Sequence, residues 1–207
     1  MPPGIERLPR NEVGYPIPVF VATMSDGARD FRVIDPDHLV RCVKFNVCWI
    51  CGEGMGSYKV FAIGPMCCVN RITAEPPSHR DCAVYAAHVC PFMVMPQMER
   101  REYKGEDAIV DPAGIHSDAN PGAMVLWTAR SYKPFRATGG TAGVLFDLGD
   151  PVEVQWFRQG REATREEAEE ALEIGCDRLR KMADEEGPDA RAQLDTMIDR
   201  ARVLLPT

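Results

Sequence analysis

Two short motifs constrain this chain more than anything else in it: Cys48-Trp49-Ile50-Cys51-Gly52 and His79-Arg80-Asp81-Cys82. Two cysteines separated by two residues let one tight turn present both sulfurs to a single ion, and a glycine directly after the second supplies the positive φ such a turn often needs. Ser78 and Asp81 then make a start resembling a capping box, which puts His79 and Cys82 in the first turn of a helix, three apart on one face. The positive end of that helix lowers a thiol pKa and helps Cys82 bind as thiolate. Three thiolates and a neutral imidazole saturate a tetrahedral zinc ion and leave no open position, as in structural sites. Cys48, Cys51, His79 and Cys82 are therefore the expected ligands, and zinc the expected structural cofactor.

Composition fits that reading. The chain has 207 residues, 45% of them hydrophobic, with 8 cysteines and a formal net charge of -7. Such a length and apolar fraction predict one globular domain, or one with an appendage. No apolar run approaches the ~20 residues needed to span a bilayer. The start, Met1-Pro2-Pro3-Gly4-Ile5-Glu6-Arg7, has no apolar stretch behind a basic beginning, so a reducing cytoplasm is the expected location and no membrane partner is expected. In that compartment the crowding of Cys48, Cys51, Cys67, Cys68 and Cys82 points to metal before disulfides.

Around the motifs the pattern is mixed. Gly14 to Ala22 reads as an edge or entering strand, and Phe31 to Ile34 as its hairpin partner beyond an Asp26-Gly27 turn. Asp35 caps a short helix with Pro36 at its first position and Leu39, Cys42 and Val43 on one face. Tyr58 to Ile63 and Met66 to Thr73 read as two strands joined through Gly64-Pro65. On the second, Cys67 and Cys68 would point to opposite faces, so at most one could replace a zinc ligand. His88 with Cys90 offers a weaker second ligand pair, while Cys42, Cys90 and Cys176 are expected in the core. The segment from Gly105 to Ala123, rich in Asp, Gly and Pro, reads as a long surface loop. Met124–Thr128, Gly143–Asp147 and Val152–Phe157 read as strands, the last half-exposed because it alternates. Thr164-Arg165-Glu166-Glu167 is a capping box opening an antiparallel helical hairpin, with Gly175 a potential break in its first helix and Glu186-Gly187-Pro188 a stop. The expected fold is α+β: residues 1–160 form a domain around the zinc module, and residues 161–207 a helical hairpin that docks on it or oligomerises.

Knuckle, strand pair, helix: in that order, residues 48–90 resemble the treble-clef zinc fingers, whose first two ligands come from a knuckle and last two from a helix start. The resemblance covers under a quarter of the chain and implies the same four ligands. The rest resembles small uncharacterised phage and prophage proteins, through Cys48-Trp49-Ile50-Cys51-Gly52, Gly64-Pro65-Met66, Asn70-Arg71, Glu75-Pro76-Pro77-Ser78-His79 and Gly160 to Arg165. That resemblance implies no activity.

Residues 41–104 carry 8 basic and 5 acidic side chains, whereas every other segment is net acidic. Lys44, Lys59, Asn70, Arg71, Glu75 and Arg80 thus form the expected contact surface, for a phosphate backbone or an acidic partner. The His-Asn-His nucleases share the treble-clef framework but need a histidine on the hairpin, which is lacking here. Zinc deaminases need His-x-Glu before the cysteine pair. A Cys67 or Cys68 nucleophile with His38, His88 or His116 as base has no spacing in its favour. The glycine-rich stretches 52–56 and 138–143 lack the arrangement of a phosphate loop. The expected function is a non-catalytic, zinc-stabilised binding protein, phage or prophage encoded, that contacts a host protein or nucleic acid and can self-associate through its C-terminal helices. The alternative is an enzyme acting on nucleic acid or nucleotides, with its site outside the zinc module.

Overall fold

A computed structural model describes residues 1–95, 122–137 and 143–207. In chain order its elements are α1 (Pro3–Glu6), β1 (Val21–Thr23), β2 (Arg29–Ile34), α2 (Pro36–Phe45), β3 (Lys59–Ile63), α3 (Pro65–Asn70), β4 (Ile72–Thr73), α4 (Arg80–Val89), α5 (Pro91–Val94), β5 (Met124–Ala129), β6 (Lys133–Arg136), β7 (Val144–Asp147), β8 (Pro151–Arg158), β9 (Arg161–Glu162), α6 (Arg165–Glu186) and α7 (Pro188–Arg202). The protein is a mixed helix-and-sheet fold. Among the described residues no helix is long and apolar enough to cross a membrane.

A four-stranded antiparallel sheet in the order β3-β5-β8-β9 organises the middle of the molecule. Its faces are covered from opposite sides, and the two-residue period of a strand sorts the side chains between them. Val60, Leu126 and Phe157 pack with Ala83 and Ala87 of α4. Phe61, Ile63, Val125, Trp127 and Trp156 pack with Cys68 and Val69 of α3 and with Leu172, Leu179, Leu194 and Ile198 of α6 and α7. All six residues of β5 are buried as a result. Beside this sheet lies a three-stranded one, β4-β7-β6, which adds Phe146 and Leu148 to the larger core.

Several expectations are met. Asp35 Oδ1 accepts from the backbone N–H groups of Asp37 and His38 at the start of α2, with Pro36 at its first position. β1 and β2 pair, although β1 is confined to Val21–Thr23. At α6, Thr164 Oγ1 accepts from Glu167 N (3.3 Å) and Glu167 Oε2 accepts from Thr164 N (3.0 Å), the capping box. Gly187 separates α6 from α7.

Others are corrected. Residues 66–73 are not one strand: Pro65–Asn70 is helical and only Ile72–Thr73 is extended. Pro65 stands at the first helical position behind a Gly64 N-cap, where its fixed φ favours a helix and its missing N–H is no loss. Consequently the expected strand pair does not form: β3 pairs with β5, and β4 pairs with β7. Strand β8 does not show the expected alternation: Val152 and Glu153 are both exposed, and Trp156 and Phe157 are both buried, one against each layer of helices. Gly175 does not interrupt α6. A β-carbon there would meet Met66 N at 3.2 Å and Pro65 Cβ at 3.3 Å, so the glycine lets α3 approach α6 closely. β6 was not foreseen. The expected loop 105–123 lies outside the described residues except for Gly122 and a buried Ala123, as does the 138–143 turn except for Gly143.

Candidate metal centre

The knuckle is built by local hydrogen bonds. Asn46 ends α2 in the left-handed region at φ 52°, which turns the chain into a short bridge between Val47 and Gly54. Within it Cys48 N donates to Glu53 O (2.7 Å) and Gly52 N to Cys48 O (2.9 Å). Gly52 adopts φ 75°, as the motif requires, and a β-carbon there would stand 3.3 Å from Val19.

The second pair of donors comes from the start of α4, one residue out of the expected register. Ser78 is extended and exchanges both backbone hydrogen bonds with Val60 of β3 (2.7 and 3.0 Å). This makes His79 the N-cap in place of Ser78, and His79 makes no side-chain cap bond. Its ring is turned to the sulfurs instead. His79 Nδ1 lies 3.4 Å from Cys51 Sγ and 4.0 Å from Cys82 Sγ, and His79 N donates to Cys48 Sγ at 3.4 Å. The ligand atoms of Cys48, Cys51, His79 and Cys82 all lie within 4.8 Å of one another, close enough to bind one metal ion. Tetrahedral zinc–sulfur bonds of ~2.3 Å would set sulfurs about 3.8 Å apart, so the spread suits zinc. The other ring nitrogen, His79 Nε2, is 3.1 Å from Gly54 O, a contact that fixes the tautomer and leaves Nδ1 as the donor.

Crowding three thiols has an electrostatic consequence. Hydrogen bonds from Cys51 and Cys82, and from the His79 backbone, hold the Cys48 thiol far below its ordinary pKa. The reverse side of that bargain falls on Cys51 and Cys82, whose hydrogen bonds with Cys48 push them up. One thiolate forms readily, and a cation is needed to hold three.

Around the cluster is a cover that the sequence reading missed. Ile5 and Leu8, from and just beyond α1, pack with Cys48, Ile50 and Cys82. A β-carbon on Gly4 would come within 3.0 Å of Cys51 Sγ, and Arg7 forms an ion pair with Glu53 of the knuckle. His38 of α2 is also unforeseen in its role. Its buried ring stacks on Trp49 (5.4 Å between centroids), and Nε2 lies 3.0 Å from Trp49 O inside the knuckle. Phe20 stacks on Trp49 at 4.8 Å. The only advance signals were an apolar Ile5 and Leu8 in a polar stretch and a histidine on the apolar face of α2.

The remaining candidates lie elsewhere. Cys67 and Cys68 sit on α3, where burial pushes their thiols up to about 11 and about 12, the opposite of an activated nucleophile. His38 has Cys42 as its sulfur neighbour (3.5 Å), and His88 contacts Gly160 O and stands edge-on to Phe157. His116 lies outside the described residues. Of the six surface residues, Lys59 is buried and bonded to Gly56 O. Arg71 pairs with Asp150 (2.8 Å), and Arg80 with Glu153 (3.2 Å) and Gln155 (3.4 Å). Asn70 Oδ1 accepts from Ile72 N (3.0 Å), Glu75 N donates to Thr73 Oγ1 (3.2 Å), and Lys44 is exposed near the end of α2.

No protein-family model matches this chain, and comparison with curated proteins and with solved structures returns no match. The resemblance to phage and prophage proteins therefore gains no support from them.

Proposed function

We propose that the chain is a zinc-stabilised binding protein without catalytic activity of its own, in which Cys48, Cys51, His79 and Cys82 hold one structural zinc ion. The observation that carries this reading is the convergence of three thiols and an imidazole nitrogen within 4.8 Å. Such a donor set fills the zinc coordination sphere and leaves no position for a substrate. The ion joins the knuckle to the first turn of α4, and so ties the N-terminal cover to the central sheet. In this reading the module is a treble-clef relative that keeps the knuckle and the ligand-bearing helix start while its strands pair elsewhere. The C-terminal pair of helices is a hairpin docked on its own domain, and the protein works in a reducing cytoplasm, where its thiols stay available for metal.

A protein partner suits the surface better than nucleic acid. Tracking a phosphate backbone needs several free cations side by side, whereas Arg80 is matched by Glu153 and Gln155 and Lys59 is buried. The flanking segments are acidic. Titration with fluorescent single- and double-stranded DNA and RNA at about 50 and 200 mM salt tests this. No saturable binding is expected. Binding that weakens steeply with salt, and that Arg71→Ala and Arg80→Ala reduce, would assign a nucleic-acid partner instead.

A further inference from the structure

Away from the metal centre, the end of α3 and the last turns of α7 enclose a cavity of about 240 Å³. It shares no lining residue with the four candidate ligands. Val69, Met197 and Leu204 supply its apolar part together with the Cys68 thiol, and Arg71 and Arg200 supply its charge. Burial holds the Cys68 thiol protonated, so it adds no negative charge of its own.

The two arginines differ in a way that points to an anion. Arg71 follows α3 with its backbone in the left-handed region at φ 58°, an uncommon conformation for a residue with a β-carbon. Its guanidinium lies over the buried indole of Trp127, 5.4 Å from the ring centroid, so packing fixes the fork before any ligand arrives. Among the described residues only Nη1 is used, by Asp150 at 2.8 Å, and the Asp150 side chain is 93% exposed. A surface pair of that kind is weak and exchangeable, yet it demonstrates that this guanidinium takes a carboxylate here. Arg200, in the last turn of α7, has no ion pair or hydrogen bond among the described residues. In a chain of net charge -7, two arginines lining one partly apolar cavity are a local exception.

Size narrows the ligand. Cavities of ~150 Å³ accept benzene, whereas sites for drug-sized molecules start near ~300 Å³. The volume therefore suits one ring or a short alkyl chain with a head group. We propose that this cavity binds a small organic carboxylate, with its apolar body against Val69, Met197 and Leu204 and its carboxylate between Arg71 and Arg200. Paired guanidinium forks match a carboxylate through charge-assisted hydrogen bonds. Inorganic phosphate would satisfy the arginines but leave the apolar wall uncovered.

The test is a titration of the full-length, metal-loaded protein with benzoate and hexanoate, followed by two-dimensional NMR, with benzamide and inorganic phosphate as controls. Benzoate is expected to bind saturably and to shift the amide signals of residues 68–71 and 197–204. Benzamide, isosteric but uncharged, is expected to bind roughly tenfold more weakly, as loss of a charged hydrogen bond implies. Arg200→Gln should weaken benzoate by a similar factor and leave the melting temperature unchanged, because its exposed side chain supports nothing in the fold. The proposal is overturned if neither carboxylate binds saturably, if benzamide or phosphate binds as well as benzoate, or if Arg200→Gln changes nothing. It is equally overturned if the shifts map elsewhere. None of these outcomes bears on metal content, so the zinc reading stands or falls separately.

Discussion

Outside the candidate metal cluster, His38 braces the knuckle and Glu167 caps the start of α6. Burial lowers the His38 pKa, so the ring is neutral, and with its proton on Nε2 it donates to the Trp49 carbonyl of the knuckle. Nδ1 is then buried with no partner among the described residues. His38→Ala should cost roughly 2–4 kcal/mol, for an orphaned carbonyl and a void beside Trp49. His38→Phe should cost less, because it keeps the stack and removes the unsatisfied nitrogen. Urea denaturation of both variants decides the order, and a costlier Phe variant would refute the assigned role. Glu167 titrates differently. Arg161, then the Thr164 backbone N–H, lower its carboxyl to about 2 from an ordinary 4.5. A depressed carboxylate stabilises the fold above its unfolded pKa, so the contribution is full at pH 6 and is lost as pH falls from 4.5 toward 2. Glu167→Gln should flatten thermal stability in that window relative to the parent chain. At this scale the four candidate ligands were legible because the spacing within each pair is local, whereas the parts of His38, Ile5 and Leu8 depend on contacts between distant segments.

Among the elements, α3 and β4 between the knuckle and α4 depart from the single strand expected over residues 66–73. Residues 66–73 carry Cys, Val, Ile and Thr, a composition suited to a strand, yet Pro65 at a helix start and a left-handed Arg71 make a helix and a short strand of them. The gain is tertiary: α3 places Cys68 and Val69 in the core beside α6 and α7. Composition cannot weigh that gain, because the partners lie about a hundred residues further along the chain. The helices 165–186 and 188–202 were legible for the opposite reason, since their caps, stops and apolar spacing are all local. Gly175 joins the two lessons. Gly175→Ala gains about 1 kcal/mol of helix propensity, but its β-carbon would press on the Met66 backbone and the Pro65 ring. Overpacking of that kind typically costs ~1–3 kcal/mol. A lower melting temperature is expected for Gly175→Ala, and a lower one still for Gly175→Val. Stabilisation by both substitutions would mean that α3 and α6 are not in close contact.

For the molecule as a whole, the larger core on one face of the sheet holds both tryptophans of β5 and β8, and Trp156 Nε1 donates to Leu204 O (2.9 Å) to anchor the end of α7. The end that carries the candidate metal site has only a small cluster around Ile5, Leu8, Cys48, Ile50 and Cys82. Stability should accordingly be uneven. Cys82→Ser should remove amide-exchange protection from the knuckle, the N-terminal cover and the start of α4, while amides around Trp127 and Leu172 stay protected. Uniform loss of protection would contradict this division. The decisive measurement is native mass spectrometry of the chain purified under reducing conditions without added metal. One zinc ion per chain, lost in Cys48→Ser and Cys82→Ser, is the predicted result. A folded wild-type chain that carries no metal, with Cys48, Cys51 and Cys82 all open to thiol reagents, would contradict the account.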